Sequence, residues 1–282
     1  MRIRKKRSEE KLFRYLSAGI TLFIVFLLLH IIWSIASKGF AALSWQMITD
    51  EPKGGFYFGK EGGILNAIAG SFYLAVSATI LSFAISLPVA LFINVYLRKF
   101  PHRANGIRFL LDVLWGIPSI VYGAFAFTIM MFAGFKTSLI AGIITVAVMI
   151  APIMIRAMDE VLKTIPIGLQ EAAYALGATK TETAFQIFFR KALPAFATAI
   201  LLAFGRGIGD AASVLFTTGF TDYVPSSIQE PAATLPLAIF FQLGSPVKEV
   251  QSRAYAAALL LTIIILIVSV LTRLLNRNAK RL

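Results

Sequence analysis

The chain is predicted to be all-α, a polytopic membrane protein with six transmembrane helices. Three observations carry this. Of 282 residues, 58% are hydrophobic and only 15% are charged, where a soluble domain carries about 25% charged residues. Six stretches run nearly free of charge for the ~18 or more residues that a helix needs to cross a bilayer. The 27 lysines and arginines gather at alternate ends of those stretches, as loop charges that set topology do. The net charge of +13 therefore reads as orientation in a membrane, and nucleic acid is not expected as a partner.

The first span covers 15–37. The basic residues before it and the small residues Ser34 and Ala36 imitate a cleavable signal, but its apolar run exceeds the ~7–15 residues of a signal core. It is expected to stay as helix one. The second span, 62–97, is long enough for one crossing plus an approach along the interface. Spans three and four, 113–135 and 137–155, are separated by Lys136 and imply a tight turn. The fifth is 192–221 and the sixth 254–272. Pro88, Pro118 and Pro152 fall within spans two, three and four, where a membrane helix tolerates proline if neighbours satisfy the freed carbonyl. Seven basic residues lie in the arm 1–14, four in 98–108, four in 163–191 and four in the C-terminal tail, nineteen against six on the opposite side. Both termini are expected in the cytoplasm. The outer segment 222–253 carries Pro225, Pro231, Pro236 and Pro246, which argue for a loop or a re-entrant element.

Chemistry is expected in two places. Arg206 and Asp210 are the only charges between 192 and 221, and a charge at the bilayer centre costs about 2.5–3.5 kcal/mol on insertion scales. Spaced i and i+4, they are expected on one helix face, with Gly205, Gly207 and Gly209 admitting another backbone. This combination suits a translocation path; the competing reading is an ion pair stapling one helix. The second place is the loop 163–191. Pro166 can start a helix there, Glu171 sits in its early turns where the dipole favours an acid, and Gly177 ends it. Ala172 and Ala173 leave a low surface that suits a groove on another protein; an amphipathic helix resting on the headgroups is the alternative.

Glu171, Ala172 and Ala173, followed by Gly177 and Ile187, are similar to the EAA loop of prokaryotic ABC importer permeases. The Leu-Pro of that loop is displaced here to Leu193 and Pro194, with Phe189 and Arg190 in the usual place. Gly62, Gly63 and Ile64, the run from Gly116 through Pro118 and Ser119 to Gly123, Pro152 with Arg156, Gly205 through Asp210, and Pro236 resemble the phosphate-importer permeases in particular, from about Gly62 to the C-terminus. Asp210 stands where that group usually has Glu, and Ala211, Ala212 and Ser213 where it has Thr-Ala-Pro.

The resemblance implies the type I importer permease (MetI-like) fold, with a basic arm at 1–14, a transmembrane permease domain at 15–282 and a coupling loop at 163–191. It implies a subunit forming half of an import channel for inorganic phosphate in a prokaryotic inner membrane. The partners would be a second related permease, a dimer of ATPase subunits docking at Glu171, Ala172, Ala173 and Gly177, and an extracytoplasmic phosphate-binding protein. The family's intramembrane arginines correspond to Arg156 and Arg206, so the expected pathway residues are Arg156, Arg206 and Asp210. Arg156 snorkelling to the headgroups is the structural alternative.

The chain itself is expected to be no enzyme and to bind no cofactor. Cysteine is absent and histidine occurs twice, which argues against thiolate or histidine metal sites. Gly54 through Lys60 imitates a phosphate-binding loop, but Glu61 replaces the Ser or Thr that would hold Mg²⁺, so ATP is expected on a separate chain. His30 is expected to be a core or interface residue, Asp112 to pair with Arg108 at i,i+4, and Asp159 and Glu160 to pair with Arg156 or with an ATPase. Permeases of other oxyanion importers (sulfate or molybdate) remain the alternative, and a membrane scaffold or intramembrane enzyme the less favoured one.

Overall fold

A computed structural model of the chain describes the backbone of residues 2–55 and 61–279 and the side chains of 10–55 and 61–275. The phosphate-loop imitation runs into residues 56–60, which lie outside the described residues. So do the side chains of the first basic residues and those of the tail beyond 275 on which the orientation count draws.

Helix α1, Arg2–Ala42, is 41 residues long, about 60 Å at 1.5 Å per residue. A short α2, Trp45–Thr49, is capped by Ser44, whose hydroxyl accepts from the Met47 amide at 3.1 Å. Helix α3, Leu65–Leu91, contains Pro88 and continues as a π-helical turn, Phe92–Tyr96. Then come α4, Pro101–Gly116, α5, Ser119–Ala133, and α6, Leu139–Lys163. The segment after Lys163 holds α7, Ile167–Ala175, and a short α8, Lys180–Glu182. A second π-helical turn, Thr183–Phe189, leads into α9, Arg190–Ile208. After an irregular stretch come α10, Leu235–Gln242, and α11, Lys248–Ala279. Among the described residues, five helices are long and apolar enough to cross a membrane, and six spans result when the bent pair α4–α5 counts as one.

α6 is the central helix. Its Val146, Ala147, Ile150, Met154, Met158 and Leu162 are buried against Leu74 and Ala78 of α3 and Phe196, Ala199 and Ala203 of α9. Alanines on the facing helices let the backbones come close, which favours helix association where the solvent is lipid. By contrast, α1 leaves Phe23, Phe26 and Trp33 exposed, and α5 leaves Phe125 and Phe132 exposed. Near its end α1 packs on α11, where the Lys38 ammonium donates to the Tyr255 hydroxyl at 3.1 Å.

Two expected spans are not continuous helices. The third, 113–135, breaks between α4 and α5 with a 91° bend. Ile117 precedes Pro118 and takes an extended conformation, φ −70° and ψ 128°, because the proline ring disfavours the helical region for the residue before it. The fifth, 192–221, stops at Ile208. Three glycines in five positions weaken the helix there, and the chain from Gly209 to Thr234 is irregular and partly buried, with Val214, Thr217, Thr218, Ala232 and Ala233 fully enclosed. The outer proline-rich segment is partly the expected loop but also contains α10, five of whose eight residues are buried while Phe240 is exposed.

Irregular backbone at membrane depth survives only where protein encloses it. Here it serves the start of α6, whose first amides have no partner within their own helix. The amide of Ser138 donates to the Thr217 carbonyl at 2.9 Å, Leu139 to Glu230 at 2.7 Å and Ile140 to Ile228 at 2.8 Å. The Asn66 side chain donates to the Thr221 carbonyl at 2.6 Å. Two glycines make room for this segment: a β-carbon on Gly70 would collide with the Ala233 carbonyl, and one on Gly123 would lie 2.6 Å from the Ser213 carbonyl oxygen.

Candidate functional site

The end of α9 comes at mid-height of the bundle. Gly207 lies against Val146 and Ile150 of α6, and Ile150 is near the middle of that 25-residue helix. Arg206 is in the last turn of α9, where the exposed carbonyl ends favour a cation. Its Nη1 donates to Asp210 Oδ1 at 2.9 Å. Asp210 lies past the helix end, so the pair spans a helix terminus, and the expectation of one helix face is corrected. The other oxygen of Asp210 accepts the Ser213 amide at 2.8 Å, which fixes the carboxylate in the turn. Exposure separates the partners: the Asp210 side chain is 4% exposed and that of Arg206 46%. Among the described residues Arg206 makes no other hydrogen bond, so most of its donor fork is unclaimed. Beside it the buried Ser213 hydroxyl has no partner among the described residues.

The glycines work differently from the expectation too. Gly205, Gly207 and Gly209 face side chains (Val268, Val146 and Ile265). The close backbone approach occurs at Gly123, where α5 meets the turn that holds Asp210.

Arg156, the other expected pathway residue, belongs to a second charged region at the C-terminal end of α6. The Arg108 guanidinium forks onto Asp159, Nε to Oδ2 and Nη2 to Oδ1, both at 2.9 Å. Asp159, with no side-chain exposure, also accepts from Asn94 at 2.8 Å, from Arg156 Nη1 at 2.9 Å and from Lys163 at 3.1 Å. Arg156 further holds Asp112 through Nε at 2.7 Å, and Lys163 holds Glu160 at 2.7 Å. The expected Arg108–Asp112 pair is thus replaced: each turns to α6, because the bend after α4 lays that helix across the α6 terminus. Asn94 arrives from the π-helical turn of α3, whose extra residue widens the helix. Sequence reasoning missed its role; a lone amide in the apolar run 82–97 was the available signal.

The expected coupling loop begins directly after Lys163. In α7, Glu171 and Ala172 are exposed and Ala173 is buried. Glu171 lies in the second turn rather than the first, which holds no acid, so the dipole argument for it lapses. Gly177 takes φ +83° and its amide donates to Tyr174, while that of Ala178 donates to Ala173, each at 3.0 Å; this reciprocal pair closes the helix and needs the left-handed residue. A capping box at Thr179 and Glu182 starts the next helix. Arg98 Nη1 donates to Gln170 Oε1 at 3.0 Å, and the Tyr96 and Thr181 hydroxyls lie 2.8 Å apart. Between α7 and the end of α3 runs a groove of about 730 Å³, lined by Arg98, Lys99, Phe100, Ile167, Glu171 and Lys180.

Comparison with known proteins agrees along the chain. Residues 86–281 match the binding-protein-dependent transport system inner membrane component family. The phosphate transport system permease protein PstA of Yersinia pestis is 34% identical over 278 residues, covering 98% of this chain and 92% of that protein. The Haemophilus influenzae protein of the same name is 31% identical over 98% of this chain and 96% of its own length. Among solved structures, a bacterial alginate ABC transporter chain superposes with a TM-score of 0.63 at 15% identity, covering 95% of this chain and 94% of that one. A chain of the inward-facing MetNI methionine ABC transporter does so with 0.59 at 20% identity, covering 77% and 97%. At these identities the structures speak to fold alone, that of an ABC importer permease. The chain belongs to the family of binding-protein-dependent transport system inner membrane components, the multi-pass permeases of ABC importers.

Proposed function

We propose that this chain forms half of the channel of an ATP-driven inorganic phosphate importer. The observation that carries the reading is its likeness to phosphate transport permeases over nearly its whole length. A second related permease supplies the other half, two ATPase subunits dock on α7 around Glu171, Ala172, Ala173 and Gly177, and an extracytoplasmic phosphate-binding protein delivers the ion. ATP is hydrolysed on the ATPase chains, this chain carries no cofactor, and the α7 end and both termini face the cytoplasm.

Arg206, Asp210 and Arg156 are the pathway residues in this reading. A guanidinium stays charged at low dielectric and offers a planar fork to two oxyanion oxygens. Arg206 is half-exposed with one nitrogen held, so an arriving phosphate finds donors without first breaking a network. Asp210 competes for the same guanidinium and keeps the ion from being held too long, as a transport site requires. Arg156, 22% exposed, is the cation met further in, once its Asp112 bond loosens.

The test is ATP-dependent uptake of labelled phosphate into vesicles holding the assembled complex, with and without Arg206→Ala. Loss of two charge-assisted hydrogen bonds is worth ~3 kcal/mol, so uptake should fall about a hundredfold while the chain still inserts. Normal uptake by the variant removes Arg206 from the path. Entry of sulfate or molybdate in place of phosphate keeps the permease and corrects the substrate.

A further inference from the structure

We propose that Asp159 is a positioning residue that ties the coupling helix α7 to the bent α4–α5 pair, so that movement of a docked ATPase reaches the channel wall. This rests on the importer reading above. Asp159 is one carboxylate holding three cations and an amide from three elements: Arg108 of α4, Asn94 of the α3 π-helical turn, and Arg156 and Lys163 of α6. A carboxylate has about four lone-pair sites, so this one is saturated. Two residues beyond the π-helical turn, Arg98 donates to Gln170 of α7 and lies over the Phe188 ring at 5.7 Å. Tyr96 reaches Thr181. Two side-chain links, Gln170–Arg98 and Asn94–Asp159, are therefore joined by the backbone at the widened end of α3, and Arg108 carries the connection from Asp159 into α4.

Helix α4 leads straight into the bend at Gly116–Pro118, and α5 beyond it carries Gly123 against the Ser213 carbonyl, three residues from Asp210. The alternative to positioning is a pin that merely stabilises the fold. Coupling predicts more: when the link is cut, ATP is still hydrolysed but less phosphate moves for each ATP.

The experiment measures ATP hydrolysed and phosphate imported by the full complex in proteoliposomes, for the unaltered chain, Asp159→Asn, Asp159→Glu and Arg98→Ala. Couplings of this kind span ~5–150-fold. The Asn variant should keep hydrolysis within about twofold while ATP consumed per phosphate rises about tenfold. The Glu variant, which keeps the charge, should restore much of the ratio. Hydrolysis and import falling together in an assembled complex would overturn the proposal. If the Asn variant does not accumulate, Arg98→Ala decides, since it cuts only the α7 end of the connection; an unchanged ratio there overturns it. If the unaltered complex imports no phosphate, the functional reading fails first, and the ratio is read on sulfate or molybdate. Import of none of the three anions sinks both.

Discussion

Two charged regions sit in one apolar chain and are built in opposite ways. At the C-terminal end of α6, Arg108, Arg156 and Lys163 converge on Asp159 with Asp112 and Glu160 alongside, three cations against three acids, and the central carboxylate has no side-chain exposure. At mid-height, Arg206 has a single acidic partner and is 46% exposed. A saturated network holds elements together, and its Arg156 has little to offer a ligand until the Asp112 bond loosens. An arginine with one nitrogen held keeps its remaining donors for something that arrives. Intramembrane charge is therefore a poor guide to function until its partners are counted.

The sharpest way to break this comparison is to remove each centre. Asp159→Ala strands three partly buried cations, and breaking a buried pair costs about 3–5 kcal/mol; with Arg108, Arg156 and Lys163 at 19%, 22% and 36% exposure, water offsets part of that. The variant should unfold at clearly lower denaturant or fail to accumulate in membranes, as read by fluorescence-detected size exclusion. A stable Asp159→Ala would mean that the network is not structural.

Next in size is Gly123→Ala, whose β-carbon would lie 2.6 Å from the Ser213 carbonyl oxygen. Overpacking of this kind costs about 1–3 kcal/mol, and it displaces the turn that holds Asp210. Uptake should drop more than stability does; the reverse order would dissociate α5 from the mid-height site.

Asp210→Asn should change stability by less than ~1 kcal/mol, as for a pair with one half-exposed member, yet phosphate should bind tighter and leave more slowly. Unchanged single-turnover release would show that the carboxylate does not compete with the ion.

The smallest effect lies outside both regions. Hydrogen bonds from the Ser226 amide and hydroxyl hold the exposed Glu230 carboxyl below the usual range. Because the folded value is depressed, the stabilisation is present above the ordinary carboxylate value and is lost as pH falls through the folded one. Acidification should then raise hydrogen exchange at Leu139 and Ile140, whose amides donate to the Glu230 and Ile228 carbonyls, with no change at Asp159. Uniform exchange at both ends of α6 would tie the regions together.

Much of the fold is legible in composition. Spans two, four and six are long apolar runs, and a helix that satisfies its own backbone is what such a run forms in lipid. Helix α7 is legible from Pro166 and Gly177, because those residues act locally. Spans three and five were misread as single helices, since Pro118 and Gly205, Gly207 and Gly209 act only as permissive signals. A proline or glycine allows a break, and the neighbours that reward the break come from distant sequence: Ser213 for Gly123, Thr217 and Glu230 for the start of α6. Arg206 and Asp210 stand out because charge is rare in the run 192–221, whereas Asp159 lies among Arg156, Glu160 and Lys163, and Asn94 gives only the weaker contrast of an uncharged amide.

By itself, then, the sequence determines a membrane chain of about six spans, the short helix α7 and the presence of rare intramembrane charges, because hydropathy and local capping need no partner. Only the tertiary structure decides that α9 ends at mid-height, that Asp210 lies past that end, and that Arg156 joins a saturated network while Arg206 stays half-open. These depend on which carbonyls and carboxylates are brought within hydrogen-bond reach, and that is set by packing between residues far apart in the chain.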